Sequence, residues 1–263
     1  MKNDKSRQII TLLFILGMIA MTIIGQVSDL GGKPIDESSN DSYTLINPAP
    51  YAFSIWGLIY IALLGFGIYQ ALPSQRDNPR FRNASGWIVL NAVSNILWYP
   101  AAYLQTLNNV IANVLILTML FSLVKINQAL EIKQITVPAA ENWLARIPFA
   151  VYFGWVTVAT PVSIASFLVY NGWNGGGAPA DIWAVTIIAV ALIIACIAYF
   201  RVTNFAYLIV IAWGFVAIAI AQQSISATVY WAALVGAVLA IAVGITTYFA
   251  QPQTKIVRES RLS

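Results

Sequence analysis

The sequence predicts an all-α integral membrane protein with eight transmembrane helices. Hydrophobic residues make up 59% of the 263 positions and charged residues 9%, against about 45–50% and 25% in a soluble domain. So few charges cannot cover a domain surface of this size. Eight stretches reach the length of about 20 apolar residues that crosses a hydrocarbon core: 8–27, 50–72, 86–105, 109–130, 147–170, 182–200, 203–222 and 228–249. Lys125 is their one charge, near the end of the fourth, where its stem can reach the interface. The unbroken runs exclude a closed barrel, which needs short alternating strands.

Taken in order, the first run follows Lys2, Lys5 and Arg7. It resembles a signal peptide, but it is long and lacks a small-x-small cleavage site, so a retained anchor helix is expected. The loop Ser28–Pro48 is the longest on its side, and the second run opens on Pro48-Ala49-Pro50, proline being tolerated in a first helical turn. Basic residues gather on the cytoplasmic side of membrane proteins. Alternating the eight runs puts every Lys and Arg except Lys33 on one side, and Asp29, Asp36, Glu37, Asp41 and Asp181 on the other. Both termini are therefore expected in the cytoplasm, with a bacterial inner membrane as the simplest host. The basic residues form no stripe, so no nucleic-acid partner is expected. Gly175-Gly176-Gly177 reads as a flexible connector, dividing the chain into a portion at 1–171, a linker at 172–181 and three further helices with a tail at 182–263.

The chain has no histidine, and Cys196 is its one cysteine. A disulfide within the chain, histidine catalysis and histidine metal sites are excluded. No catalytic or metal-binding residue is assigned.

Three helix faces carry more than lipid-compatible groups. Phe53, Trp56 and Tyr60 share a face of the second run, and Trp87, Asn91, Asn95 and Trp98 share a face of the third. In the fifth, Tyr152, Trp155, Ala159 and Ser163 lie on one broad stripe, and the small Ala159 leaves room for something bulky. Amides in hydrocarbon must point at protein, water or a ligand. Spacing alone allows two uses, helix packing through interhelical amide bonds or the wall of a ligand pocket. Trp87, Trp143, Trp173, Trp183 and Trp231 fit interfacial anchors. Ala232, Gly236, Ala240 and Gly244 make a small-residue row, expected to pack on another helix of the chain, with a homodimer face as the alternative.

Three stretches in order carry a resemblance: Pro48-Ala-Pro50-Tyr-Ala-Phe53-Ser-Ile-Trp56-Gly-Leu-Ile-Tyr60, then Asn95-Ile-Leu97-Trp98-Tyr-Pro100, then Trp155-Val-Thr157-Val-Ala159-Thr160. Over residues 8 to about 171 the chain resembles the tryptophan-rich sensory protein family, also called the translocator protein or peripheral-type benzodiazepine receptor family. The departures are a shorter spacing from the proline pair to Trp56, Pro161 and Ser163 where the family has Gly and Asn, and three helices beyond the family's five. The resemblance implies a five-helix bundle with a pocket for a hydrophobic aromatic ligand, a porphyrin or bilin held without a covalent bond. It carries over as ligand-binding candidates Trp56, Tyr60, Asn91, Asn95, Trp98, Trp155 and Ala159. Without histidine, a metal-free tetrapyrrole fits better than ligated haem. The expected function is ligand binding and sensing. The alternatives are facilitated movement of an uncharged solute and a structural subunit of a membrane complex. Charge-coupled pumping is disfavoured by the lack of acidic groups and arginine in the runs. Enzymatic activity is not expected, since only tyrosine and tryptophan photochemistry remains.

Overall fold

A computed structural model describes residues 4–27, 43–103 and 108–250. Most of the first outer loop, Lys2 and the basic residues Lys255, Arg258 and Arg261 lie outside the described residues. Eight long helices are present among those described: α1 Asp4–Val27, α2 Ile55–Ala71, α3 Pro79–Tyr103, α4 Asn108–Ala129, α5 Ile147–Tyr170, α6 Ala180–Arg201, α7 Phe205–Gln222 and α8 Ala227–Ala250. A 3₁₀ turn at Pro50–Ser54 leads into α2, and a π-helical turn at Asn142–Arg146 leads into α5.

Seven of the eight are long and apolar enough to cross a membrane; α3 is the exception. It begins seven residues before the apolar run, at Asn78-Pro79, where the Asn78 side chain accepts from the Arg80 backbone N–H at 3.1 Å. Arg80 and Arg82 therefore lie in the first turn of a helix and not in a loop. Its 25 residues reach about 37 Å, and its polar groups face protein: Ser85, Asn91, Ser94 and Asn95 are all buried. Hydropathy counts those groups as if they met lipid, which the fold does not require of them.

Helix α1 packs on α2 and α3, α3 on α4, α4 on α5, and α5 on α2, so these five close into a ring. Helix α7 lies against α5 and α8, and α6 against α7 and α8. The α5–α7 contact depends on two glycines. A Cβ on Gly154 would come within 2.8 Å of the Tyr207 carbonyl oxygen and of Val210, and one on Gly214 within 2.7 Å of Val158. Such close backbone approach is the usual device of membrane helix pairs. The small-residue row of α8 is spent inside the chain, where Gly236 meets Phe215 and Gly244 meets Phe205, both on α7. That row therefore offers no dimer face.

Polar contacts define the two ends. At the basic end, Arg82 donates through Nε and Nη2 to both Asp4 carboxylate oxygens at 2.9 and 2.7 Å. Arg80 grips Glu141 the same way at 2.5 and 2.8 Å, and Asn78 adds a third bond to that carboxylate at 3.1 Å. The Arg146 guanidinium donates to the carbonyls of Leu130, Glu131 and Ile135, satisfying the open C-terminus of α4. Lys133 lies over the Tyr199 ring at 4.1 Å, tying the α4–α5 connection to the end of α6. Next to α1's start, Gln8 donates to the Gln70 and Leu72 carbonyls and Gln70 returns a bond to the Gln8 carbonyl. At the opposite end Gln222 donates to the Tyr43 hydroxyl at 2.6 Å and Ser226 to Asp181 at 3.1 Å. Among the described residues, the lysines and arginines thus gather at one end and Asp181 lies at the other.

Candidate functional site

The interior of the ring holds a chain of side-chain hydrogen bonds that passes through all five helices. Thr22 on α1 donates to the Tyr60 hydroxyl on α2 at 2.7 Å. Tyr60 donates to Asn95 Oδ1 on α3 at 3.5 Å, and Asn95 Nδ2 donates to the Tyr152 hydroxyl on α5 at 3.0 Å. Tyr152 then donates to the Met119 sulfur on α4 at 3.5 Å. Asn95 and Tyr152 are buried, and a side-chain amide there is costly unless both its ends are used, as they are here.

An aromatic cluster sits on this chain. Trp56 stacks on Tyr60 with ring centres 5.4 Å apart, and meets Tyr152 and Trp155 edge-on at 5.7 and 6.4 Å. Phe53, from the 3₁₀ turn before α2, meets Trp155 edge-on at 5.6 Å. These are the separations and tilts at which aromatic pairs attract. Trp155 is 1% exposed, and its indole Nε1–H has no hydrogen-bond partner among the described residues. The Trp98 Nε1–H is likewise buried and without one. An unpaired buried donor costs about 1–3 kcal/mol, so Trp155 presents an unused donor inside a wall of rings. Ala159, one turn on from Trp155, is half-buried.

Of the candidates read from the sequence, Trp56, Tyr60, Asn95 and Trp155 come together in this cluster. Asn91 is placed differently, since its amide donates to the Met119 carbonyl at 3.3 Å and to Ser122 Oγ at 2.9 Å, both on α4. Trp98 is half-buried against the core and makes none of the ring contacts described above. Tyr152 and Phe53 lie on the predicted faces but outside the predicted site, and they are central to it. Thr22 and Met119 gave no signal, being a lone hydroxyl in an apolar run and a thioether that any core could use. Among the described residues no cluster of three or more Cys, Asp or Glu side chains could hold a metal ion.

No curated protein and no solved structure matches the chain. A family model does, described as TSPO-like protein and matching residues 8–246. That stretch runs from the first turns of α1, through the ring and past the glycine run, into the last turns of α8. The chain therefore belongs to the family of TSPO-like proteins.

Proposed function

We propose that the chain is a membrane receptor that binds a flat, largely apolar aromatic molecule inside the five-helix ring, a metal-free porphyrin or a bilin, and senses it. The observation that carries this reading is Trp155: fully buried, walled by Trp56 and Phe53, with an indole N–H that no group among the described residues uses. A tetrapyrrole offers ring faces to the aromatic walls and carbonyl or carboxylate oxygens to a donor. Binding contacts come from Trp56, Tyr60, Trp98 and Trp155, and Ala159 leaves room beside them. Asn95 holds the two tyrosines in place, and Asn91 acts in the α3–α4 contact.

In this reading the first five helices form the binding unit, the glycine run joins it to the last three, and those three buttress the site through the α5–α7 contact. The aromatic centre and the closed contacts of α1–α5 support that division, whereas the family match runs across all eight helices and does not distinguish the two parts. The chain spans its membrane eight times, α3 included, with the basic end in the cytoplasm of a bacterial cell. An odd number of spans would put the arginine-rich connections on opposite sides. Catalysis is not part of the proposal, since the aromatic centre carries hydroxyls, amides and indoles and no carboxylate or thiol.

The test is a titration of the purified protein, in nanodiscs, with protoporphyrin IX and with biliverdin while tryptophan fluorescence is followed. Saturable quenching by either is the expected result. Linear quenching with no saturation, the same as for empty nanodiscs with free tryptophan, would refute the proposal.

A further inference from the structure

A second cavity lies away from the aromatic centre, at the end of the molecule opposite the basic one. It has a volume of about 390 Å³ and is lined by the stretch 43–46, the end of α5, the glycine run and the first turns of α6. This volume lies within the range of small-molecule sites, about 300–1,000 Å³. None of the residues of the aromatic cluster lines it. The two are offset along α5: Trp155 and Ala159 lie near its middle, whereas Ala165 and Val169, which line the cavity, lie on average about 15 Å further along and about 80° round the helix.

The walls are held from outside. Gly175 has φ +75°, and a Cβ there would come within 2.6 Å of the Trp183 ring. Trp183 Nε1 donates to the Gly175 carbonyl at 2.5 Å, so the glycine run is a tight turn built around that indole and not a slack connector. Trp173 meets Trp183 edge-on at 4.8 Å, giving the cavity an aromatic corner. Across from it, Tyr43 is fixed by Gln222 at 2.6 Å and Thr44 by Asn47 at 2.7 Å. The polar groups of the wall are thus largely spent on fixing it. Among the described residues no Asp, Glu, Lys or Arg lines the space, and apolar surface remains inside.

We infer that this cavity is a second binding site, for a neutral, ring-bearing, mainly apolar small molecule that arrives from the non-basic side of the membrane. The aromatic corner favours a ring over an acyl chain, and the described lining residues carry no charge to offset an ion's desolvation. The inference is independent of ligand binding in the ring.

The experiment is photolabelling of the full-length protein in phosphatidylcholine nanodiscs with benzophenone, a neutral aromatic probe, followed by peptide mapping. Saturable adducts in the segments 43–46 and 165–187 are expected. 4-Benzoylbenzoate, the anionic analogue, should compete at least about tenfold more weakly, given the cost of placing a charge in an apolar site. Trp173→Ala, at a position about a third exposed (37%), should raise the half-saturating concentration about tenfold, the loss expected for an aromatic anchor. Ala184→Phe should fill the space and abolish these adducts. Trp155→Phe should leave them unchanged. Adducts that do not saturate, that are equally strong in Trp173→Ala and the parent protein, or that the anion displaces equally well would overturn the inference.

Discussion

Asn95 joins both tyrosine hydroxyls of the ring interior, and its neighbour one turn earlier, Asn91, spends its amide N–H groups on α4 and, of the two hydroxyls, lies beside that of Tyr152 alone. The two amides look identical in the sequence, spaced four apart on one helix face, and the structure gives them different work. Asn95→Ala removes the acceptor of the Tyr60 hydroxyl and the donor to Tyr152, leaving them Thr22 and the Met119 sulfur, and Asn91→Ala removes the donor to Ser122, which keeps the Met119 carbonyl. Each should cost about 1–2 kcal/mol, the scale of interhelical polar bonds in membranes, read as a lower thermal midpoint in one detergent. Asn95→Ala should weaken tetrapyrrole quenching more than Asn91→Ala, because Asn95 holds both tyrosine hydroxyls and Asn91 at most one. Equal quenching loss in both variants would contradict this division. The aromatic half of the site was legible because Trp56 and Tyr60, or Trp155 and Ala159, recur at helical spacing. The hydrogen-bond chain was not, because its ends at Thr22 and Met119 are residues that apolar helices use everywhere.

At the level of the helices, the fold differs from the hydropathy reading mainly at α3. Its true start carries a capping asparagine followed by proline, a signal present in the sequence at Asn78-Pro79 but outranked there by apolarity. The α5–α7 contact was not legible either. Gly154 and Gly214 are single glycines outside any repeated small-residue pattern, and only their facing across two helices reveals their use. Gly154→Leu and Gly214→Leu should each destabilise by about 1–3 kcal/mol, the cost of overpacking a tight contact, measured by thermal unfolding in detergent. Gly57→Leu is the control, since a Cβ there meets nothing within 4 Å, and it should stay at the parent midpoint. A drop for Gly57→Leu matching the other two would mean that helix glycines act through backbone effects and not through the contact. The row on α8 shows the converse: its spacing was visible, and α7, not a second copy of the chain, covers it.

Over the whole molecule, the segregation of charge is the feature the sequence displayed most openly, and its spatial form adds mechanical content. The bidentate pairs Arg82–Asp4 and Arg80–Glu141, with the Arg146 cap on α4, fasten the basic end. Among the described residues the opposite end is held by neutral bonds and by Asp181. The orientation proposed above rests on this asymmetry and is open to direct labelling. In a Cys196→Ser background, Asn174→Cys and Arg201→Cys place single thiols at exposed positions of opposite ends. An impermeant maleimide should label the first in intact cells and the second only after permeabilisation. Labelling of both from outside would rule out eight alternating spans.

The ligand proposal depends on one unused hydrogen-bond donor, and the most direct measurement isolates it. Trp155→Phe keeps an aromatic ring and deletes the Nε1–H. Protoporphyrin IX affinity should be compared for the parent and Trp155→Phe proteins in nanodiscs by porphyrin absorbance, which does not depend on the tryptophan removed. A loss of about 1–1.5 kcal/mol, the worth of one hydrogen bond, corresponds to a Kd weakened about five- to tenfold, with the thermal midpoint of the ligand-free protein unchanged or raised. An unchanged Kd would show that the buried indole N–H of Trp155 does not meet the ligand.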